Sequence, residues 1–354
     1  MKLDDVARKA GVSPSTVSRV LNNTGRVKAS TRARVLRIAE AMRYRPDIHA
    51  RTLAGGRSHT LGLIVSNLEN PFFLDIFHSV EAQARRRGYD LVVANTGYQP
   101  KRLESAVRWM QGHRLAGMAL VVSEQVHALL EELPTGTTPI AFYDANVTGP
   151  QVSSIRTNYY GGMQKAVRYL HSLGHRRMAF VGHHAALQPL QERKRSFVAA
   201  VERYEGQVRH GLAAGTDGPG GGHEATRRLL ESDLAPTAIL CVNDFMALGV
   251  LRALREAGLR VPEDVSVIGF DNIHLSEFTA PPLTTVNVPR EQIGRAICDA
   301  LLPEAEDGRA PTHEHVIEPE LLIRDSTGPV PEAPAPRTES RGGGAVACLT
   351  NSRT

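Results

Sequence analysis

The chain has 354 residues, 42% hydrophobic and 22% charged, with a net charge of +5, an ordinary globular composition long enough for two or three domains. No run approaches the roughly 18 apolar residues that span a bilayer, and the opening MKLDDVARKA lacks the apolar stretch of a secretory signal, so a cytoplasmic protein without a membrane partner is expected. Cys241, Cys298 and Cys348 are odd in number, widely spaced and without a C-x-x-C pair, which argues against a disulfide framework and a zinc site. The pairs His183-His184 and His313-x-His315 lack further ligands at metal spacing, so neither a metal nor a cofactor is expected.

Charge is unevenly placed. Residues 1–60 hold 13 Lys and Arg against 4 Asp and Glu, a net of +9, which leaves −4 on the other 294. A compact basic module on a mildly acidic body is the electrostatic footprint of a nucleic-acid binder. Within it, Leu3, Val6, Ala7 and Ala10 recur at helical spacing, and Gly11-Val12 break the pattern. Ser13 is a good N-cap with Pro14 at the first helical position. The helix they begin runs to about Asn22, turning Val17, Val20 and Leu21 to one face and Ser15, Thr16, Ser18 and Arg19 outward. Ser30 or Thr31 is expected to cap a third helix that ends near Met42. Three short helices with a tight glycine turn between the first two predict an all-α helix-turn-helix headpiece over 1–45, its second helix offered to a DNA major groove.

Arg45-Pro46 ends that bundle, because proline disfavours helix at the residue before it. DIHARTLAGG can form about one and a half turns, too short to be stable alone, so 46–57 reads as a hinge helix or linker closed by Gly55-Gly56.

From Thr60 apolar runs alternate with helical stretches: LGLIVS (61–66), YDLVVAN (89–95), AGMALVVS (116–123), TPIAFYD (138–144), then MAFVG (178–182), HGLAAG (210–215), TAILCVN (237–243) and DVSVIGFD (264–271). Strand alternating with helix predicts doubly wound parallel sheets, twice over. The α/β core, 58–327, divides into a lobe of 59–158 plus 289–318 and a second of 159–288 plus 319–327, with a ligand cleft at the carboxyl ends of the strands. The Gly-rich GTDGPGGG (215–222) lacks the strand–turn context of a dinucleotide fingerprint. The tail 328–354 is rich in Pro, Gly, Ser, Thr and Ala and reads as disorder; without a leucine heptad it favours a dimer over a tetramer.

The run from Asp4 to Val65 resembles the opening of a LacI/GalR-family transcriptional regulator. The resemblance rests on Val6-Ala7, Ala10-Gly11-Val12-Ser13, the run Thr16 to Asn22, Val27, Thr31, Tyr44, Pro46, Ala50 and Leu53, and continues to about Arg324, over nine tenths of the chain. It implies a periplasmic-binding-protein-like core behind the headpiece. It also implies a repressor, not an enzyme, that grips a pseudo-palindromic double-stranded operator as a homodimer under the control of a small-molecule effector. By position, Pro14, Ser15 and Arg19 fall where the family reads bases, and Arg19 can bond a guanine edge bidentately. Ser13, Thr16, Ser18, Asn22 and Thr31 suit phosphates. Ala50 permits close approach of paired hinges, and Leu53 matches the family leucine that wedges into the minor groove. Asp47 stands where the family usually has Asn, a position where it can cap the hinge helix.

Effector contacts are expected at strand and helix ends: Phe72 and Phe73 as the aromatic cover, with Asp144, Arg193, Asn243 and Asp271 as polar partners. Asp and Asn on vicinal hydroxyls beneath an aromatic face is sugar-binding chemistry. Asp244 reads as a cap for the next helix. Leu187 replaces an Arg of purine-responsive members, Val288 replaces a common polar residue, and His183, His184 and Asp217 are unusual occupants that could touch effector. A transport receptor or an enzyme can share the two-lobed fold. The basic headpiece disfavours the first, and the want of a nucleophile motif or phosphate loop the second.

Overall fold

The computed structural model describes residues 3–21, 25–44, 58–124, 138–145, 147, 149, 151–184, 187–302 and 314–330. The headpiece is three helices, α1 (Leu3–Ala10), α2 (Pro14–Leu21) and α3 (Ala29–Ala41). Val6, Ala7, Ala10, Val17, Val20, Val35 and Ala39 interlock at its centre, and burial of each valine contributes about 1.5–3 kcal/mol. Gly11, at φ +60°, makes the turn that Cβ-bearing residues resist. Ser13 caps α2 by accepting from Thr16 N at 3.3 Å. The third helix departs from expectation. It starts at Ala29 with Lys28 as an N-cap that makes no side-chain bond, so Ser30 and Thr31 lie inside the first turn. Val27, packed on the headpiece core just before it, anchors this end by burial rather than by a cap.

Behind it stand two six-stranded sheets. The first contains β1 (Thr60–Val65), β2 (Asp90–Asn95), β3 (Gly117–Val121), β4 (Ile140–Tyr143), β5 (Val152–Thr157) and β11 (Glu314–Ile317), in the order β11-β5-β4-β3-β1-β2, parallel throughout. The second contains β6 (Arg177–His183), β7 (Arg209–Gly215), β8 (Ala238–Cys241), β9 (Ser266–Asp271), β10 (Thr284–Asn287) and β12 (Glu320–Leu322), in the order β12-β10-β9-β8-β6-β7, with only β12 antiparallel to its neighbour. The central strands β3, β4, β8 and β9 are buried along their whole length. Covered on both faces, they read as unbroken apolar runs.

Helices α4 (Pro71–Arg86), α5 (Pro100–Gly112) and α10 (Arg290–Leu301) flank the first sheet, and α6 (Tyr159–Ser172), α7 (Gln188–Glu202), α8 (Gly218–Leu230) and α9 (Asp244–Glu256) the second. Both lobes wind their first five strands in the same order, which places the crevice at the strands' carboxyl ends. The chain crosses between lobes three times, at 157–159, 287–290 and 317–320. The glycines of 215–222 press α8 onto α9: a Cβ on Gly222 would lie 2.1 Å from Met246 O, so this stretch serves helix packing.

Two further expectations are corrected. Strands β5, β10, β11 and β12 carry too many hydroxyl and charged residues to read as apolar runs. The tail is held in place for its first three residues: Gly328 O is 3.0 Å from His175 Nε2, Gly328 N donates to Ser266 Oγ at 3.1 Å, and Val330 N donates to Leu173 O at 2.8 Å. The rest of it, from 331, lies outside the described residues.

Candidate functional site

The outward face of α2 is the first half of the site. Ser13, Pro14, Ser15 and Arg19 are exposed and Thr16 and Ser18 half-buried, while Val17 and Val20 on the opposite side are sealed in the core. Ser15 and Arg19 are one helical turn apart and so share a face. Ser13 Oγ lies 2.8 Å from Ser15 Oγ and 2.9 Å from Thr16 Oγ1, so a cluster of hydroxyls surrounds the helix start. Among the described residues no carboxylate pairs with Arg19. Thr31 is half-buried in the first turn of α3. Asn22, Ala50 and Leu53 lie outside the described residues.

The cleft between the sheets is the second half. Asn70 caps α4, accepting from Phe72 N at 3.1 Å, and aims Phe72 and Phe73 into the crevice, where both are buried. Their rings meet edge to face at 5.7 Å, and Phe72 also lies 6.3 Å from Tyr143. Asp144 follows β4 in the left-handed region, φ +56°. Its carboxylate accepts from Thr157 N at 2.8 Å and from the Tyr159 hydroxyl. Burial pushes this carboxyl up to about 6.

On the facing lobe Arg193, 4% exposed, lies 3.0 Å from Asp271, 2% exposed. Its guanidinium also donates to Val242 O at 2.8 Å and to the Tyr159 hydroxyl at 3.3 Å, and it lies 4.6 Å from the Tyr159 ring centre and 4.5 Å from that of Phe270. Burial works against its charge, but Asp271 and the neighbouring phenols hold it protonated. Burial likewise lifts the Asp271 carboxyl to about 6, with Arg193 pulling the other way. Arg193 Nε and Asp271 Oδ1 remain buried without an aligned hydrogen-bond partner. Asp271 and Asn272 both have positive φ, +103° and +56°. Arg290, at the start of α10, holds that turn by donating to Asp271 O and, at 2.6 Å, to Asn272 O.

The structure thus brings Phe72, Phe73, Asp144, Arg193, Asn243 and Asp271 to one crevice. The space left at its centre is about 30 Å³, room for about one water. Asn243, rather than Asp244, caps α9, accepting from Met246 N at 2.8 Å. Asp244 is fully buried and accepts from Thr285 Oγ1 at 2.6 Å and Ile273 N at 2.9 Å, so it braces strand ends. Burial raises it to about 8. Tyr159 and Tyr98 were not foreseen. Tyr159 stands at the first lobe crossing, where its hydroxyl joins Asp144 to Arg193, and the run NYYGG at a strand–helix junction was the available signal. Val288 is buried away from the crevice.

Residues 2–47 match the family model described as bacterial regulatory proteins, lacI family, and residues 167–327 match a periplasmic binding protein-like domain. An HTH-type transcriptional repressor PurR of Mannheimia succiniciproducens is 34% identical over 326 residues, covering 92% of this chain and 98% of that protein. A Lac repressor dimer bound to operator and the anti-inducer ONPF is similar at a TM-score of 0.81 and 29% identity, over 93% of this chain and 99% of the other. The regulator CelR in complex with cellobiose is similar at 0.65 and 28%, over 92% and 99%. A regulator from Enterococcus faecium with bound ribose is similar at 0.68 and 28%, over 76% and 99%. With a basic helix-turn-helix in front of two doubly wound lobes and these likenesses across nearly its whole length, the chain belongs to the LacI family of bacterial regulatory proteins.

Proposed function

We propose that this protein is a cytoplasmic, homodimeric transcriptional repressor that reads a pseudo-palindromic operator with α2 and is controlled by a neutral polyhydroxylated effector, a sugar or sugar derivative, in the interlobe cleft. The observation that carries the effector class is the Arg193–Asp271 pair, with a buried donor and a buried acceptor left unaligned in the crevice that Phe72 and Phe73 also line. Neighbouring hydroxyls on a sugar ring supply both an acceptor and a donor, and aromatic rings suit the C–H face. Relatives solved with cellobiose and with ribose support the same class. On the DNA side, Arg19 and Ser15 read base edges and Pro14 contributes shape. The hydroxyls of Ser13, Thr16, Ser18 and Thr31, with Asn22, hold phosphates, while Ala50 and Leu53 work at the operator centre.

A ring larger than water cannot enter a space of about 30 Å³ unless the lobes part and close again around it. That motion alters operator affinity only by the effector's differential affinity for the two arrangements. For self-association, Leu275, Phe278 and Ile323 are exposed apolar side chains. Arg324, donating to Ser276 Oγ at 3.1 Å, ties Ile323 to the segment bearing the other two. They suit a second copy, in keeping with the dimeric relative. Among the described residues no helix is long and apolar enough to cross a membrane.

The test is a thermal-shift screen of neutral mono- and disaccharides, nucleobases and amino acids, followed by operator binding with each hit. A closing cleft stabilises by mass action, about 2.7 kcal/mol at a hundredfold excess over Kd. A nucleobase or amino acid as the binding class would overturn the effector assignment. Equal affinity for every palindrome and for bulk DNA would overturn the regulator.

A further inference from the structure

Four helices of the core begin at an Asn or Asp that faces the cleft or its crossings, and one behaves differently. Asn70, Asn158 and Asn243 each turn the side-chain oxygen back onto an N–H of their own helix, the usual work of an N-cap. Asp217 holds the N-cap position of α8, with φ −62° and ψ 149°, yet makes no capping bond. Its carboxylate crosses to the other lobe. Oδ2 accepts from Asn67 Nδ2 at 2.9 Å and from the Tyr98 hydroxyl at 2.9 Å.

Both donors are aimed by their own loops. Asn67, just after β1, fixes its amide by accepting from Glu69 N at 2.9 Å. Tyr98, after β2, has φ +60° and brings its ring to 6.3 Å from that of His183, at the end of β6 in the second lobe. Burial and the adjacent carboxylate raise the Tyr98 phenol well above its ordinary value, so it stays a donor across the working pH range. Among the described residues no Lys, Arg or His pairs with Asp217. Its partners are two neutral donors, both from the opposite lobe.

We infer that Asp217 is a latch: through Asn67 and Tyr98 it ties the two lobes across the cleft and sets the balance between open and closed arrangements with the chain's own atoms. Charge-assisted hydrogen bonds are stronger than neutral ones, and a helix that leaves its N-cap unused has its acceptor free for the far lobe. An effector entering the cleft has to replace or bypass these bonds, so the latch biases the same motion that the proposed regulation uses. The inference therefore deepens the effector-controlled reading and rests on it only for the consequence at DNA.

The experiment measures the lobe separation directly. Spin labels at Arg108→Cys on α5 and Glu224→Cys on α8, in the full chain with Cys348→Ser, report the distance by pulsed electron resonance when labelled protomers are diluted into unlabelled chain. Asp217→Ala is expected to lengthen and broaden the distribution. Tyr98→Phe, which keeps the ring and loses one donor, is expected to shift it less in the same direction. Asp217→Asn retains an acceptor but loses the charge, and is expected to fall between wild type and Asp217→Ala. Unchanged distributions in both Asp217→Ala and Tyr98→Phe overturn the latch; should Asp217→Ala fail to fold, Tyr98→Phe decides alone. Operator affinity of the same variants is expected to change about fivefold or more. Lengthened distances with unaltered operator affinity uphold the latch and sink the coupling of cleft to DNA instead.

Discussion

The headpiece and the cleft handle charge in opposite ways. Arg19 is exposed, with no carboxylate beside it among the described residues, whereas Arg193 is sealed against Asp271 between two aromatic rings. A surface that meets a polyanion gains from hydrated cations whose counterions are released on contact. A buried site cannot keep a lone charge, since desolvation costs several kcal/mol per ion, so each charge needs a partner. A mutation in the headpiece should thus cost binding and spare the fold, while one in the cleft should cost both.

The largest expected effect is at Arg193. Arg193→Ala strands Asp271 and should destabilise the core by about 3–5 kcal/mol, a drop in Tm on the order of 10 °C. A Tm unchanged from wild type would break the contrast at its buried end. Arg19→Ala should leave Tm in place and cost about 1–3 kcal/mol of operator binding, with specificity relaxed at one base pair. Equal losses on operator and random DNA would reassign Arg19 to phosphate.

Acid sharpens the same comparison. Asp144 and Asp271 titrate near 6 in the fold, above the ordinary carboxylate value. The fold therefore takes up these protons before the unfolded chain does, and lowering the pH from 7 to 5 favours the folded core at these two positions. Effector binding runs the other way. The proposed effector's hydroxyls would donate to the ionised carboxylates, so affinity should fall, by up to about tenfold per pH unit below 6 for each carboxylate that must be ionised. Calorimetric titration at pH 5, 6 and 7 checks it, and a flat profile would remove both carboxylates from the contact. The smallest effect concerns the uncapped α3, where Lys28→Ser should stabilise the headpiece by about 1 kcal/mol, read by thermal unfolding. No gain would mean that helix entry is set by Val27 alone.

The headpiece was legible because its signals are local. Val6, Ala7, Val17 and Val20 recur at helical spacing, and Gly11, Ser13 and Pro14 punctuate them within a few residues. The central strands were legible for a similar reason, being unbroken runs of apolar side chains. Strand β5 escaped because Ser153 and Ser154 are buried polar residues, with Ser154 Oγ donating to Ala145 O at 3.0 Å. Strand β10 escaped because Thr284 and Thr285 are fully buried hydroxyls whose partners, Arg324 O, Thr327 and Asp244, lie far off in sequence. In the cleft, the types and positions of Phe72, Asp144, Arg193 and Asp271 pointed to a polar site at strand ends. That Arg193 answers Asp271, and that Tyr159 joins Asp144 to Arg193, depends on how two sheets face one another. No spacing along the chain records that.

The three crossings between the lobes have a mechanical meaning. Two rigid bodies joined by a single strap can swivel, slide or twist apart. Three straps share the strain, and two of them are stitched together where Asn158 N donates to Ile317 O at 2.9 Å and Asn158 Nδ2 to the Glu318 carboxylate. Most relative displacements stretch at least one strap; bending all three together stretches none. Bending about the line of the straps is thus the displacement this joint opposes least, as the spine of a book lets its covers turn.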